Sequence, residues 1–178
     1  LSLMLAQRYT NAFIDAVEID AAAADQANEN FQSSPWNGRL KVFNCAVQDF
    51  DEARQYDFII CNPPFYEHDL KSSSGKKNAA MHSSQLAMQE LIYHINRLLL
   101  PGGSFALLLP YSRQKIFETV AWQYNFKPVN KTLVKQTPGH PYFRSMLLFK
   151  KNDELQVEGE IIIKDTGGNY TGEFMQLL

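Results

Sequence analysis

Short apolar runs alternate with stretches of helical periodicity along most of the chain. Residues 12–19, 40–47, 57–61 and 104–109 have the length and apolar content of buried strands. Between the last two runs, apolar residues recur at three- and four-residue spacing, which predicts a helix ended by Pro101-Gly102-Gly103. The residues that carry this spacing are Met88, Leu91, Ile92, Ile95, Leu98 and Leu99. Strands that alternate with helices predict a parallel sheet with helices on both faces.

The remaining elements follow from local signals. Asp20 precedes an alanine-rich stretch and predicts a capped helix that runs to about Phe31. Residues 116–124 have a second amphipathic helical pattern. Two late apolar runs, 127–137 and 144–150, have no helix between them, which predicts an antiparallel edge, and a last strand is expected at 156–164. The predicted fold class is therefore α/β, mostly parallel with an antiparallel edge strand.

Composition narrows the class of protein. A chain of 178 residues and 20.3 kDa predicts a single domain over residues 1–178. The net charge of −2 excludes a broad basic coat, so any nucleic-acid contact must be local. Cys45 and Cys61, each in an apolar run, predict two buried thiols in a reducing cytoplasm and no metal site. No apolar stretch is long enough for a membrane span, and we expect a cytoplasmic monomer.

Acidic residues follow the first two predicted strands. Glu18 could accept two hydrogen bonds from a ribose diol, although a solvated acid at a strand end has the same pattern. Asp49 could accept the exocyclic amine of an adenine whose face Phe50 lines, although aspartate is also common in loops. The carboxyl ends of parallel strands meet at one edge of a sheet, where ligands bind in open α/β folds.

Asn62-Pro63-Pro64-Phe65 follows the third strand and indicates a more specific chemistry. The prolines fix the backbone and have no amide donor, so the Asn62 side-chain carbonyl and the Pro63 carbonyl remain as acceptors for one planar –NH2 group. Phe65 offers a ring for stacking a base removed from its helix. A rigid turn after a strand is the alternative interpretation.

With this motif after an apolar strand, the chain resembles class I S-adenosylmethionine-dependent methyltransferases that act on planar nitrogen. The resemblance covers nearly its whole length. Residues 17–20 look like the ribose-binding strand end of that family, and residues 48–50 look like its adenine-binding end. The resemblance implies S-adenosyl-L-methionine as cofactor, bound by Glu18, Ile19, Asp49, Phe50 and Asn62. It also implies a catalytic motif formed by Asn62, Pro63, Pro64 and Phe65.

More narrowly, the chain is similar to bacterial enzymes that methylate N6 of the adenine 3′ of the anticodon in a valine tRNA. The similarity rests on residues 62–66, on Leu70-Lys71-Ser72 with Asn78-Ala79 and His82, and on residues 164–171. It implies tRNA as the partner. The RNA-binding candidates are Tyr66, Lys71, Lys76, Lys77 and Arg113, followed by Lys115, His140 and Arg144. A solvated surface is the alternative for the lysines, and His82 has no assigned role.

The chain departs from the family in one respect, because the glycine-rich loop that follows the first, central strand is absent. The uncapped apolar helix expected at Leu1–Arg8 would follow that loop, so we expect the missing strand and loop to lie upstream of residue 1. Three alternatives stay open: guanine-N2 methylation of rRNA, glutamine methylation of a protein, and a catalytically silent module that binds RNA or protein. A DNA adenine methyltransferase would need a target-recognition domain for which the chain has no room.

Overall fold

The computed structural model describes residues 1–50, 53–63, 87–151 and 157–177. They belong to two compact units, Leu1–Ala53 and Arg54–Leu178. The first unit contains α1 (Ser2–Arg8), β1 (Ile14–Glu18), α2 (Ala21–Gln32) and β2 (Leu40–Asn44). The second contains β3 (Tyr56–Cys61), α3 (described over 87–98), β4 (Leu99–Pro110), α4 (Gln114–Trp122), β5 (Lys127–Lys135), β6 (Tyr142–Lys150), β7 (Val157–Ile162) and α5 (Gly172–Met175). The prediction that 1–178 is one domain remains a prediction.

The first unit is built on a two-stranded parallel sheet. β1 and β2 pair from Ile14 opposite Leu40 to Glu18 opposite Asn44. The predicted cap is present, because the Asp20 carboxylate accepts a hydrogen bond of 2.8 Å from the N–H of Ala23 at the start of α2. The buried core of this unit is a small cluster of Ala6, Phe31 and Leu40.

The helix α1 begins without a side-chain cap, as its sequence predicts. The chain that follows it is held by Arg39, whose guanidinium donates to the carbonyls of Ala6 (3.0 Å), Tyr9 (3.0 Å) and Ala12 (2.6 Å). One charged side chain therefore satisfies carbonyls at and beyond the helix C-terminus, where they have no intrahelical partner.

The second unit is built on a five-stranded sheet in the order β3-β4-β6-β5-β7. β3 pairs parallel with β4, β6 pairs antiparallel with both β4 and β5, and β7 pairs parallel with β5. The predicted antiparallel strand is confirmed. Its predicted place at the edge is wrong, because β6 lies between β4 and β5 and β7 forms the edge.

The predicted helix end at Pro101-Gly102-Gly103 also needs correction. The helix ends at residue 98, and the proline–glycine segment is part of β4. Tyr56 pairs with Leu99 and Phe58 with Ser104, so the segment lies in an irregular bulge between two paired positions. Gly102 has a φ of +82°, which glycine adopts without strain. A side chain at Gly103 would lie 3.0 Å from the Leu100 carbonyl oxygen.

Apolar residues of β4, β6, α3 and α4 form the main core. Phe105 is at its centre, fully buried, stacked on Phe149 with ring centroids 4.8 Å apart and edge-to-face with Phe126 at 4.9 Å. The predicted apolar stripes of α3 and α4 face this core. Its buried members are Met88, Ile92, Ile95, Leu99, Phe105, Leu107, Leu109, Phe117, Val120, Ala121, Phe126, Leu147 and Phe149.

Candidate functional site

Glu18 is the last residue of β1 and is half-buried. Its Oε1 accepts a hydrogen bond of 2.9 Å from the N–H of Asp20, which fixes the carboxylate at the start of α2. A carboxylate has about four acceptor positions on its two oxygens, so this bond leaves capacity for a diol. The next residue, Ile19, exposes 72% of its surface and presents an apolar face beside the acid.

Asn44 holds this strand end in place, a role that the sequence did not reveal. It ends β2 opposite Glu18, and its Nδ2 donates to the main-chain carbonyls of Glu18 (2.9 Å) and Ile19 (3.2 Å). The signal in the sequence was a single amide side chain inside the strand predicted at 40–47. Its cross-strand partners could not be known without the register of β1 and β2.

Asp49 and Phe50 follow β2 in the same unit. Asp49 is exposed and ends a single 3₁₀ turn, Val47–Asp49, in which its N–H donates to the Ala46 carbonyl at 3.0 Å. Phe50 is 4% exposed and packs edge-to-face on Phe43 at 5.1 Å. The ring of Phe50 therefore anchors the turn in the protein, and the exposed carboxylate of Asp49 is the group that can reach a ligand.

The groups at this end of the first unit fit an adenosine. Two carboxylates, those of Glu18 and Asp49, are hydrogen-bond acceptors for hydroxyl and amino groups, and the exposed Ile19 suits the face of a flat ring. Glu18 is at the carboxyl end of β1, and Asp49 follows the carboxyl end of its parallel neighbour β2. This is the position at which nucleotide ligands bind in open α/β sheets.

In the second unit, β3 ends at Cys61 and delivers Asn62 as an exposed residue, followed by the half-buried Pro63. Cys61 pairs with Leu107 of β4, so the strand that carries Asn62 is hydrogen-bonded up to the residue before it. An exposed amide at the end of a paired strand can accept hydrogen bonds from a ligand without unfavourable burial.

Several predicted site residues lie outside the described residues. They are Pro64, Phe65, Tyr66, Lys71, Lys76 and Lys77, and His82, which has no assigned role, also lies outside the described residues. Their predicted contributions to catalysis or RNA binding therefore stay predictions.

Cys61 is partly buried against the main core and is not the fully buried thiol that the sequence predicts; Cys45 is likewise partly buried. The removal of the Cys61 thiol from water raises its pKa from the ordinary 9.0 to about 12. The thiol is therefore protonated at neutral pH. Although it adjoins Asn62, it does not provide a thiolate nucleophile.

Arg113 ends the 3₁₀ turn Tyr111–Arg113 that follows β4, and it immediately precedes α4. The start of α4 is fixed by Gln114, whose buried side chain accepts from Ser145 Oγ (2.8 Å) and donates to Glu118 Oε1 (2.9 Å). Sequence reasoning missed both Gln114 and Ser145. Ser145 shares the inward face of β6 with Leu147, where polar side chains are rare unless paired.

Ranges 1–50, 53–63, 87–151 and 157–177 contain no cluster of three or more His, Cys, Asp or Glu side chains arranged for a metal ion. Across the same ranges, none of the helices is long and apolar enough to span a membrane.

The known proteins that this chain is similar to are methyltransferases. Residues 1–122 match the model of the methyltransferase small domain. A tRNA1(Val) (adenine(37)-N6)-methyltransferase of Flavobacterium psychrophilum is 37% identical over 180 residues, covering 99% of this chain and 76% of that protein. A relative of the same name from Dyadobacter fermentans is 40% identical over 182 residues, with 100% and 76% coverage.

A solved structure shares the fold. It is the crystal structure of a predicted O-methyltransferase from Agrobacterium tumefaciens, with a TM-score of 0.76 and 17% sequence identity. The match covers 99% of this chain and 81% of that chain. At this identity the likeness supports the Rossmann-like α/β fold and does not bear on the substrate.

Proposed function

The chain belongs to the methyltransferase small domain family and is an S-adenosylmethionine-dependent enzyme, and we propose that it methylates N6 of adenine 37 in tRNA1(Val). The observation that carries this proposal is similarity at 33–40% identity over almost the whole chain to relatives of that name. The exposed Asn62 at the end of β3 supplies the matching chemistry for an exocyclic amine. We propose that the protein acts in the cytoplasm, where a tRNA substrate would be found, and that it is a monomer.

Cofactor binding is assigned to the first unit. We propose that Glu18 accepts hydrogen bonds from the ribose hydroxyls and Asp49 from the adenine amine, while Ile19 packs on the ring. Phe50 contributes by anchoring the turn that carries Asp49, since its own ring is packed on Phe43. When bound, S-adenosylmethionine supplies an activated methyl group on a positively charged sulfur, so the chain does not need to provide a strong base.

Amine positioning is assigned to the second unit. We propose that the side-chain carbonyl of Asn62 and the main-chain carbonyl of Pro63 accept the two N6 hydrogens of the target adenine. These bonds orient the nitrogen lone pair and stabilise the positive charge that develops on the nitrogen. We propose that Pro64, as a proline, restricts the backbone after these acceptors. We propose further that Phe65 and Tyr66 stack on the extruded base, and that Lys71, Lys76, Lys77 and Arg113 contact RNA phosphates.

The test is methyl transfer by the full-length protein from labelled S-adenosylmethionine to total tRNA, followed by nucleoside analysis. We expect N6-methyladenosine in tRNA1(Val), and no label when adenine 37 of a transcribed tRNA1(Val) is replaced by guanine. In parallel reactions that contain rRNA or cellular protein in place of tRNA, label in guanine or in glutamine, with none in tRNA, would overturn the proposal in favour of those substrates. Absence of both cofactor binding and transfer would identify a catalytically silent module.

A further inference from the structure

Four strands of the five-stranded sheet in the second unit end on one side of the sheet, and the fifth begins there. β3, β4, β5 and β7 run in one direction and end on this side, and β6 runs in the opposite direction and begins there. We call this row of strand ends, which runs across the sheet from β3 to β7, the carboxyl edge. Four spacings of about 4.8 Å separate β3 from β7, so the edge is about 19 Å long. That length matches about five or six phosphates of a stacked strand at 3.4 Å each.

Three large aromatic rings are exposed along this edge. Tyr111, just after β4, is 41% exposed, and Phe143, near the start of β6, is 36% exposed. Tyr170, in the turn after β7, is 54% exposed. Exposed rings at intervals along one edge are suited to stacking on unpaired bases, since every base has a π face.

Cationic side chains accompany the rings. Lys135 Nζ lies 4.5 Å from the ring centre of Tyr142, Lys164 Nζ 5.4 Å from that of Tyr170, and the Arg144 guanidinium 5.5 Å from that of Phe143. The described residues of the edge carry more basic than acidic side chains. The basic ones are Arg113, Lys135, Arg144 and Lys164, and the acidic ones are Glu160 and Asp165.

The acidic groups of the edge are used in internal bonds. Glu160 forms an ion pair of 2.9 Å with Lys135 and accepts a hydrogen bond from the Tyr142 hydroxyl. Both partners lower the pKa of Glu160. Asp165 Oδ1 accepts from the N–H of Asn169 at 2.9 Å inside the turn after β7. Lys135 therefore compensates the charge of Glu160, whereas Asp165 keeps its charge within the turn. The positive charge that can attract a phosphate comes from Arg113, Arg144 and Lys164.

The aromatic positions are held by the fold. Lys164 and Tyr170 pair as a β-bridge, and Thr171 Oγ1 donates to the Ile162 carbonyl at 2.5 Å, which ties the turn back to β7. The rings of Tyr111 and Tyr142 lie 5.3 Å apart, which connects the end of β4 to the start of β6. A binding surface that is ordered before the ligand arrives loses less entropy on association.

Most of this edge lies beyond the part of the chain that defines the general family. The methyltransferase small domain model ends at residue 122, before β5 begins. The relatives named for tRNA1(Val) match 99–100% of the chain, including the segment after residue 122. The segment common to the tRNA enzymes but outside the general domain is thus the one that carries β5, β6, β7 and the Tyr170 turn.

We propose that the carboxyl edge binds the anticodon arm of the substrate tRNA. Tyr111, Phe143 and Tyr170 stack on unpaired loop bases, and Arg144 and Lys164 contact the backbone phosphates. This assignment rests on the proposed tRNA substrate, and it places the RNA along the same edge at which β3 delivers Asn62. The near-neutral chain therefore holds RNA with a short mixed aromatic and basic edge, without a broad positive surface.

The test measures the Kd of the full-length protein for an unmodified tRNA1(Val) anticodon stem-loop. Tyr170→Leu keeps apolar volume but removes the ring, and we expect it to weaken binding about tenfold, whereas Tyr170→Phe stays near wild type. Phe143→Ala is the independent second variant and has the same expected effect. Lys164→Gln should lower the slope of log Kd against log salt concentration by about one, a change that a purely structural role would not produce.

Matched controls lie at the opposite ends of the strands, away from the carboxyl edge. Lys151 pairs with the ring of Phe126 at 4.9 Å, and Trp122 is an exposed ring at the end of α4. Lys151→Gln and Trp122→Ala should leave Kd and the salt slope unchanged.

The outcomes separate this proposal from the proposed function. Wild-type Kd and salt slope in all carboxyl-edge variants, with adenine-37 methylation intact, would overturn the edge assignment alone and leave the edge to another partner such as a protein. Failure of the wild-type protein to bind or methylate the tRNA would overturn both. Loss of binding in the edge variants, with unchanged melting temperature and cofactor affinity, supports the assignment.

Discussion

The two units of the chain hold their proposed functional groups in different ways. In Leu1–Ala53, three buried residues form the described core, and Glu18 and its neighbours are held by hydrogen bonds from Asn44 and Asp20. In Arg54–Leu178, Asn62 follows a strand that packs through Ile59 and Cys61 on a core of thirteen buried residues. The first unit therefore positions ligand-binding groups by directional bonds, and the second positions its group by apolar packing.

Because of this difference, we expect the substitutions that lower stability and those that lower activity to lie at different residues. Substitutions in the large core should lower the stability of the second unit, while substitution of the exposed Asn62 should affect turnover with little effect on stability. Substitutions at the strand ends of the first unit should change cofactor affinity.

Phe105→Ala should have the largest effect. Phe105 is fully buried and contacts the rings of Phe149, Phe126 and Phe117. Its truncation should lower the free energy of unfolding by about 4 kcal/mol, measured by denaturant unfolding. Trp122→Ala, which truncates a ring that is 66% exposed, is the control and should change stability by less than about 0.5 kcal/mol. Equal effects of the two substitutions would show that the core does not stabilise this unit.

Asn62→Ala should lower kcat by about a hundredfold to a thousandfold. The substitution removes a hydrogen-bond acceptor that stabilises the positive charge developing on the reacting nitrogen. Since Asn62 is exposed, the melting temperature should stay near wild type. Asn130→Ala, an exposed amide on β5, is the matched control. Single-turnover methylation with saturating cofactor provides the measurement, and near-normal turnover of the Asn62 variant would remove Asn62 from catalysis.

Local sequence patterns predicted the elements of both units well. The Asp20 cap, the apolar stripe of α4 and the apolar strand before Asn62 are each encoded within about ten residues, and each is confirmed. The predicted edge position of the antiparallel strand was wrong. β6 lies between β4 and β5, because the order of strands depends on pairing between distant segments and not on local periodicity.

The polar supports of the site were missed for the same reason. Asn44 acts on residues 25 and 26 positions away, and Ser145 on Gln114 at a separation of 31. A sequence shows such side chains as isolated polar residues. Their partners become visible only once the register of the strands and the position of α4 are known.

Glu18→Gln tests the first unit. The amide keeps one oxygen that can accept from the Asp20 N–H, so the strand end should persist, but its other group donates and cannot accept from a ribose hydroxyl. We expect the KM for S-adenosylmethionine to rise about tenfold at unchanged kcat. Glu29→Gln on the exposed side of α2 is the control and should leave KM unchanged. A fall in kcat without a rise in KM would contradict cofactor binding by Glu18.

The turn after β7 is an exception to this difference between the two units. It lies in the second unit, but hydrogen bonds hold it in place, as they hold the strand ends of the first unit. The Asn169 N–H donates to Asp165 Oδ1, and this bond lowers the pKa of Asp165 below its ordinary 3.8. Because the pKa is lower in the folded state, the charged carboxylate stabilises the fold above pH 3.8, and this contribution is lost as the pH falls through the lowered value.

Asp165→Asn should therefore give the smallest effect of the series. The amide oxygen can still accept from Asn169, so the substitution removes the charge and retains the bond. We expect a small decrease in melting temperature at pH 7 that narrows as the pH is lowered toward 3, with Asp25→Asn on α2 as a control for a generic change of charge. A decrease that is constant with pH would mean that the turn depends on shape alone.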